Sequence, residues 1–210
     1  MSKARFITVE GIEGVGKSTH LGFIRDQLVT RGIDVLMTRE PGGTPGAERV
    51  RELLLDAGGE VISPDAELLL MFAARALHVE NVIRPALKAG RWVVCDRFVD
   101  ASYAYQGGGR GIPAQRIAVL ERWVLKGLKP DLTLLLDAPV DVGLTRMTKR
   151  GARDRFEQEQ AAFFARVRRT YLARARREPR RIQVVTADGN IQDVQQQVAH
   201  ILDARLRRWL

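Results

Sequence analysis

Residues Gly11-Ile12-Glu13-Gly14-Val15-Gly16-Lys17-Ser18 fit the pattern G-x-x-x-x-G-K-[ST], and they stand between the apolar run FITVE and a stretch of helical character. A strand, a glycine-rich turn and a helix in that order form a phosphate-binding loop. Glycine lets the backbone curl so that successive N–H groups face one anion, and the helix starting near Lys17 adds its positive end to the same field. The motif assigns Gly11, Ile12, Glu13, Gly14, Val15, Gly16, Lys17, Ser18 and Thr19 to a nucleoside triphosphate. Lys17 is expected on the β- and γ-phosphates and Ser18 on Mg²⁺. Motors, switches and kinases all use such a loop, so the rest of the chain must say what becomes of the nucleotide.

Short β-branched or apolar runs alternate with longer helical stretches, the pattern of an α/β fold with a parallel sheet flanked by helices. Strands are expected near 5–10, 34–39, 91–96, 132–137 and 182–186. The runs WVVCD, LTLLLD and IQVVT lack clean alternation, as strands do when both faces are covered. Helices are expected at 17–30, 45–55, 64–89, 113–125, 140–150, 157–177 and 191–209. Pro45, Pro64 and Pro113 sit near first turns, where a missing N–H costs nothing. The glycine-dense segments GGTPG and QGGGRG read as sharp turns or as backbone brought close to a ligand.

With 210 residues the chain fits one domain over 1–210 with a short mobile lid at about 150–156. Cys95 is the only cysteine, which points to a reducing compartment, and no apolar leader opens the sequence. A cytoplasmic protein without a membrane partner is the expectation. The net charge of +9 admits a nucleic-acid partner, but anionic small substrates account for it equally. No aromatic-rich basic groove is evident, so no nucleic-acid partner is expected.

Asp96-Arg97-Phe98 follow the third strand and emerge at the carboxyl edge of the sheet, where open α/β folds bind ligands. Asp96 there serves a metal's water shell or orients a partner. Arg97 offers a planar fork for an acceptor phosphate, or else closes a salt bridge within its own loop. Arg39, after the second strand, is a second phosphate handle. Phe72 and Arg75 are three residues apart on one helix, a spacing that suits a ring stacked on a base beside a guanidinium reading its carbonyl. Taken alone, Phe72 is more often a core residue. Ser102, Tyr103, Tyr105 and Gln106 add hydrogen-bonding groups on a loop or short helix near the same edge. A carboxylate at Glu13 would repel a triphosphate, so it is expected to face the acceptor, toward a sugar hydroxyl or a metal-bound water.

Arg150-Gly151-Ala152-Arg153-Asp154-Arg155 sets three guanidiniums beside a glycine hinge. Phosphoryl transfer spreads negative charge over the transferring group, and a basic lid would stabilise it while excluding water. An exposed basic turn is the simpler alternative.

GIEGVGKST, TREPGGTPGAERVRELLL, ELLLMFAARALH, VVCDRFVDASYAYQGGGRG, KPDLTLLLDAPVDVGL and DRFEQE together make the chain resemble the bacterial thymidylate kinases over nearly its whole length. The resemblance implies the nucleoside monophosphate kinase fold, a P-loop nucleoside triphosphate hydrolase-like sheet of five parallel strands. It also implies transfer from ATP to dTMP giving ADP and dTDP, Mg²⁺ dependence and a homodimer. Carried over by position, Phe72 stacks on thymine and Arg75 bonds its carbonyl, while Arg97 and Arg39 hold the acceptor phosphate. Ser102, Tyr103 and Gln106 line the base and sugar pocket, and Glu13 lies near the deoxyribose. Catalytic cations are expected from the lid at Arg150 and Arg155, with Arg153 against the ATP. Two competing readings are a kinase for another monophosphate and a basic, ATP-regulated nucleic-acid-binding protein.

Overall fold

The computed structural model describes residues 4–56, 58–148, 154–157 and 159–210. Five strands, β1 Phe6–Glu10, β2 Val35–Arg39, β3 Trp92–Asp96, β4 Leu132–Asp137 and β5 Ile182–Thr186, form one sheet in the order β2-β3-β1-β4-β5. Every pairing is parallel. The expected strands match these to within one residue at each end. The chain runs from β1 out to β2, returns to β3 beside β1, and then crosses to β4 on the other side. The carboxyl ends of β1 and β3 therefore flank the crevice where the direction of winding reverses, the place such sheets bind ligands.

Alternation along the strands divides the interior into two layers. Ile7, Val9, Trp92 and Val94 join one cluster with residues of α1 (Lys17–Val29), α8 (Ala161–Arg177) and α9 (Ile191–Trp209). Phe6, Val93 and Cys95 join the other, with Leu68, Phe72, Ile117 and Leu125 of α3 (Pro64–His78) and α6 (Ala114–Leu125). Each of these apolar side chains contributes roughly 1.5–3 kcal/mol by leaving water. β1 and most of β4 are buried along both faces, which is why neither sequence alternates cleanly between apolar and polar.

Local chemistry sets the helix ends. Thr44 and Ser63 cap α2 (Pro45–Leu55) and α3 by accepting from the N–H groups of Ala47 and Ala66, and a proline follows each cap. Pro113 is itself the residue before α6 rather than its first turn. The single helix expected over 64–89 is helical throughout, but it widens into a π turn at Val79–Ile83 before α4 (Arg84–Lys88). Pro85 supplies no N–H to the preceding turn, and the wider turn accommodates that loss. α7 covers Val140–Thr148. The helix expected from 157 begins only at Ala161, because Asp154 Oδ1 accepts from the N–H groups of Phe156 and Glu157 and holds them in a turn.

In QGGGRG, Gly107, Gly108 and Gly109 stand in a helix rather than a sharp turn. After α5 (Val99–Ser102), residues Tyr103–Gly109 form a π-helix packed on α8. A Cβ on Gly109 would stand 2.4 Å from the ring of Phe163, and Arg166 of α8 donates to the carbonyls of Gly108 and Gly109. The glycines let two helices touch.

Candidate active site

The P-loop joins the buried end of β1 to α1, whose preceding residue, Gly16, adopts φ 88°. Gly14, at φ 75°, lies so close to α7 that a Cβ there would fall 2.0 Å from the carbonyl oxygen of Gly143. The loop is thus wedged between strand and helix in one shape, with the N-terminal end of α1 at its mouth. Lys17 Nζ donates to the carbonyls of Gly11 and Ile12 at 3.2 and 2.9 Å. Burial, reinforced by the charge of Arg97 and opposed by Asp96, Glu13 and Glu10, lowers its pKa to about 8.

β3 delivers the opposing cation. Immediately after Asp96, Arg97 takes φ 66°, a left-handed conformation that costs a side chain about 1–2 kcal/mol. That turn brings its guanidinium back to the end of β1. Nη1 donates to the Gly11 carbonyl at 2.8 Å and to the Tyr171 hydroxyl at 3.2 Å, and Nη2 donates to Glu13 Oε1 at 2.8 Å. Tyr105 donates to the other oxygen of Glu13 at 2.6 Å, with its ring 4.8 Å from the guanidinium carbon. Behind Arg97, Tyr171 donates to buried Glu10, which also accepts from the Phe98 N–H. Burial, reinforced by Asp100, raises the pKa of Glu10 from its ordinary 4.5.

A cavity of about 240 Å³ opens from Lys17, Ser18, Glu13, Asp96 and Arg97 and runs along α3 and the π-helix. Phe98, Ala101, Ser102, Tyr105 and Gln106 line one wall at spacings of three and four, a single face of a helix. Met71 and Arg75, four apart on α3, line another. Arg75 is held in a buried network, donating through Nε to Glu40 at 2.7 Å, through Nη1 to Ser102 at 2.9 Å and through Nη2 to the Phe98 carbonyl at 3.0 Å. Asp96 Oδ1 is buried with no hydrogen-bond partner among the described residues.

The structure brings Glu13, Gly14, Lys17, Ser18, Arg75, Asp96, Arg97, Ser102 and Gln106 to this cavity. It places four expected residues elsewhere. Phe72 is 2% exposed in the second core layer, and the side of α3 facing the cavity carries Met71 instead. Tyr103 lies across the π-helix from Tyr105, donating to Glu121 of α6 under the guanidinium of Arg174. Arg39 is exposed and pairs with Glu48, the acidic residue in the first turn of α2. Arg155 donates to the Leu54 carbonyl and lies 2.7 Å from Glu67, a fully buried carboxylate that draws it away from the P-loop. Arg150 and Arg153 lie outside the described residues.

Sequence reading missed Arg51 and Met71, and it left Tyr105 as a hydrogen-bonding group near the sheet edge with no assigned role. Arg51 reaches the cavity from α2 and donates to the Pro41 carbonyl. The signals were present. Met71 is four residues from Arg75 on α3, and Tyr105 is three and four residues beyond Ser102 and Ala101, so helical spacing selects each.

The sequence profile described as "Thymidylate kinase" matches residues 9–198. A thymidylate kinase of Chromohalobacter salexigens is 58% identical over 211 residues, covering all of both chains. One from Chromobacterium violaceum is 56% identical over 206 residues, covering 98% of this chain and 97% of its own. The crystal structure of thymidylate kinase from Ehrlichia chaffeensis superposes with a TM-score of 0.77 at 33% identity, covering 95% of this chain and 98% of that one. By sequence along its length and by fold, this chain belongs to the thymidylate kinase family.

Proposed function

We infer that the chain transfers the γ-phosphate of ATP to dTMP, forming dTDP and ADP. The observation that carries this is one continuous cavity with a P-loop lysine at one end, Met71, Arg75 and Gln106 at the other, and Arg97 between. That order matches a triphosphate, an acceptor phosphate and a base laid end to end.

The P-loop amides and Lys17 hold the β- and γ-phosphates, while Arg97, with Arg51 nearby, holds the acceptor phosphate. One oxygen of that phosphate attacks the γ-phosphorus as the bond to the β,γ-bridging oxygen breaks and ADP leaves. The nucleophile is already an anion, so no general base is required. The residues' task is positioning and neutralising charge. Glu13 contributes indirectly, because its carboxylate and Tyr105 fix Arg97 in place.

Mg²⁺ fits this site. Asp96 has a buried oxygen without a partner among the described residues, and Ser18 stands at the same end of the cavity. Those two would hold the ion, and it would supply neutralisation of the phosphates' charge during transfer.

A homodimer belongs to the same reading. Leu69 and Leu77 of α3 and Val119 and Trp123 of α6 are exposed at helical spacings on adjoining helices, Trp123 by 72%. Two copies of that face would bury apolar surface that a monomer leaves wet.

A coupled assay of ADP release tests the activity. Turnover should depend on dTMP and fall sharply with AMP or dCMP, and equal rates on AMP would refute the acceptor.

A further inference from the structure

Glu67 is fully buried and ionic, yet it touches neither the P-loop nor the cavity described above. A carboxylate stripped of water persists only when its oxygens are paired. Its partners are Arg110 Nε at 3.1 and 3.4 Å, Arg155 Nη2 at 2.7 Å and the side-chain amide of Gln106, whose Nε2 donates at 2.8 Å. Arg110 also pairs with Glu159. Two guanidiniums face Glu67, and a carboxylate paired with cations is an acceptor only.

This fixes which way the Gln106 amide faces. Turned over, it would set its carbonyl oxygen against a buried anion. With Nε2 turned to Glu67, the amide's acceptor, Oε1, faces away from that carboxylate and is available to a ligand. Arg75, on the facing wall, is a donor. An acceptor beside a donor complements a ring N–H next to a carbonyl, the edge shared by thymine and uracil. Cytosine presents the reverse, a bare ring nitrogen next to an amino group.

We propose that Glu67 is a positioning residue that sets the hydrogen-bonding polarity of Gln106, and so makes the cavity select a base carrying a ring N–H over one carrying an acceptor there. The proposal rests on the thymidylate reading of the cavity. A glutamine at position 67 could donate to Oε1 or accept from Nε2, so Glu67→Gln would let Gln106 take either orientation.

The test compares kcat/KM for dTMP and dCMP. Glu67→Gln should narrow the preference by about tenfold or more, since sites built around a hydrogen bond derive most discrimination from it. The KM for ATP should move by less than about twofold, because Glu67 lies off the donor site. In a Gln106→Leu background the same substitution should leave the ratio unchanged, as no amide remains to turn. Should Glu67→Gln not fold, Glu67→Asp keeps the charge for Arg110 and Arg155 but withdraws it by one methylene. It should narrow the ratio at least about threefold.

A folded variant with an unmoved ratio overturns the proposal. So does a change that persists without Gln106, or loss of fold in both variants, which would make Glu67 structural only. A wild-type enzyme that uses dCMP as well as dTMP would defeat the thymidylate reading itself. A selective wild-type enzyme whose preference survives both substitutions defeats this inference alone.

Discussion

Arg97 and Glu13 meet across 2.8 Å at the mouth of the P-loop, so the acidic residue of the loop grips the cation of the neighbouring strand instead of facing the triphosphate. The repulsion expected of a carboxylate in that loop is thereby turned into an anchor. Arg97→Ala should lower kcat by about 10²–10³, the usual loss when a donor aimed at transition-state charge is removed. Glu13→Gln keeps an acceptor but removes the charge, and should raise the KM for dTMP by about tenfold with ATP affected little. Steady-state kinetics with each substrate varied in turn distinguishes the two effects. A Glu13→Gln enzyme impaired mainly toward ATP would contradict the anchoring role.

Lys17, with a pKa of about 8, is partly neutral near that pH and becomes fully charged against phosphates. Its pKa therefore rises on binding. Protons are taken up, and affinity for ATP falls as pH climbs through about 8. At pH 8 the uptake attributable to Lys17 is about half a proton per site, and at pH 7 about a tenth. Isothermal titration in buffers of different ionisation enthalpy measures it. Lys17→Met should abolish both this uptake and phosphate transfer while retaining the fold. An uptake the same in the variant would rule out Lys17 as its source.

Met71 and Phe72 are adjacent on α3 yet serve opposite sides of it. Phe72→Ala should cost about 3–5 kcal/mol of stability through the cavity it leaves in the second core layer. Its KM for dTMP should change little under conditions where the variant stays folded. Met71→Ala should do the reverse, raising KM with little change in the unfolding midpoint. Thermal unfolding and kinetics on both proteins decide the assignment, and a Phe72→Ala enzyme that is stable but loses dTMP affinity would reverse it.

That pair shows what was legible in the sequence. The strands, the P-loop and Arg97 follow from apolar runs and one motif, because their chemistry is local and repeated in the residues themselves. Phe72 was misplaced because residues three and four apart from Arg75 both lie near it on a helix, and only packing decides which one faces the cavity. The resemblance assigns Tyr103 to the pocket, whereas residues 103–109 form a π-helix whose cavity side carries Tyr105. Arg155 was drawn toward the nucleotide by its neighbours in sequence, but a buried carboxylate 88 positions earlier claims it. Long-range charge pairing of that kind leaves no periodic trace.

Trp123 is 72% exposed among the apolar residues that α3 and α6 present to solvent. Trp123→Glu should shift a dimer to monomer by placing a charge in a surface that must lose water to associate. Light scattering at several concentrations reads the mass directly. A wild-type protein that stays monomeric at all of them would remove the proposed interface.

The most direct measurement is a crystal structure with dTMP and a non-hydrolysable ATP analogue bound together. The account predicts the triphosphate on residues 11–18 and the thymidylate phosphate within hydrogen-bond reach of Arg97. The base should lie against Met71, with its ring N–H toward Gln106 Oε1. Thymidylate bound outside the cavity, or seated there with its phosphate turned away from Arg97 and Lys17, would contradict it.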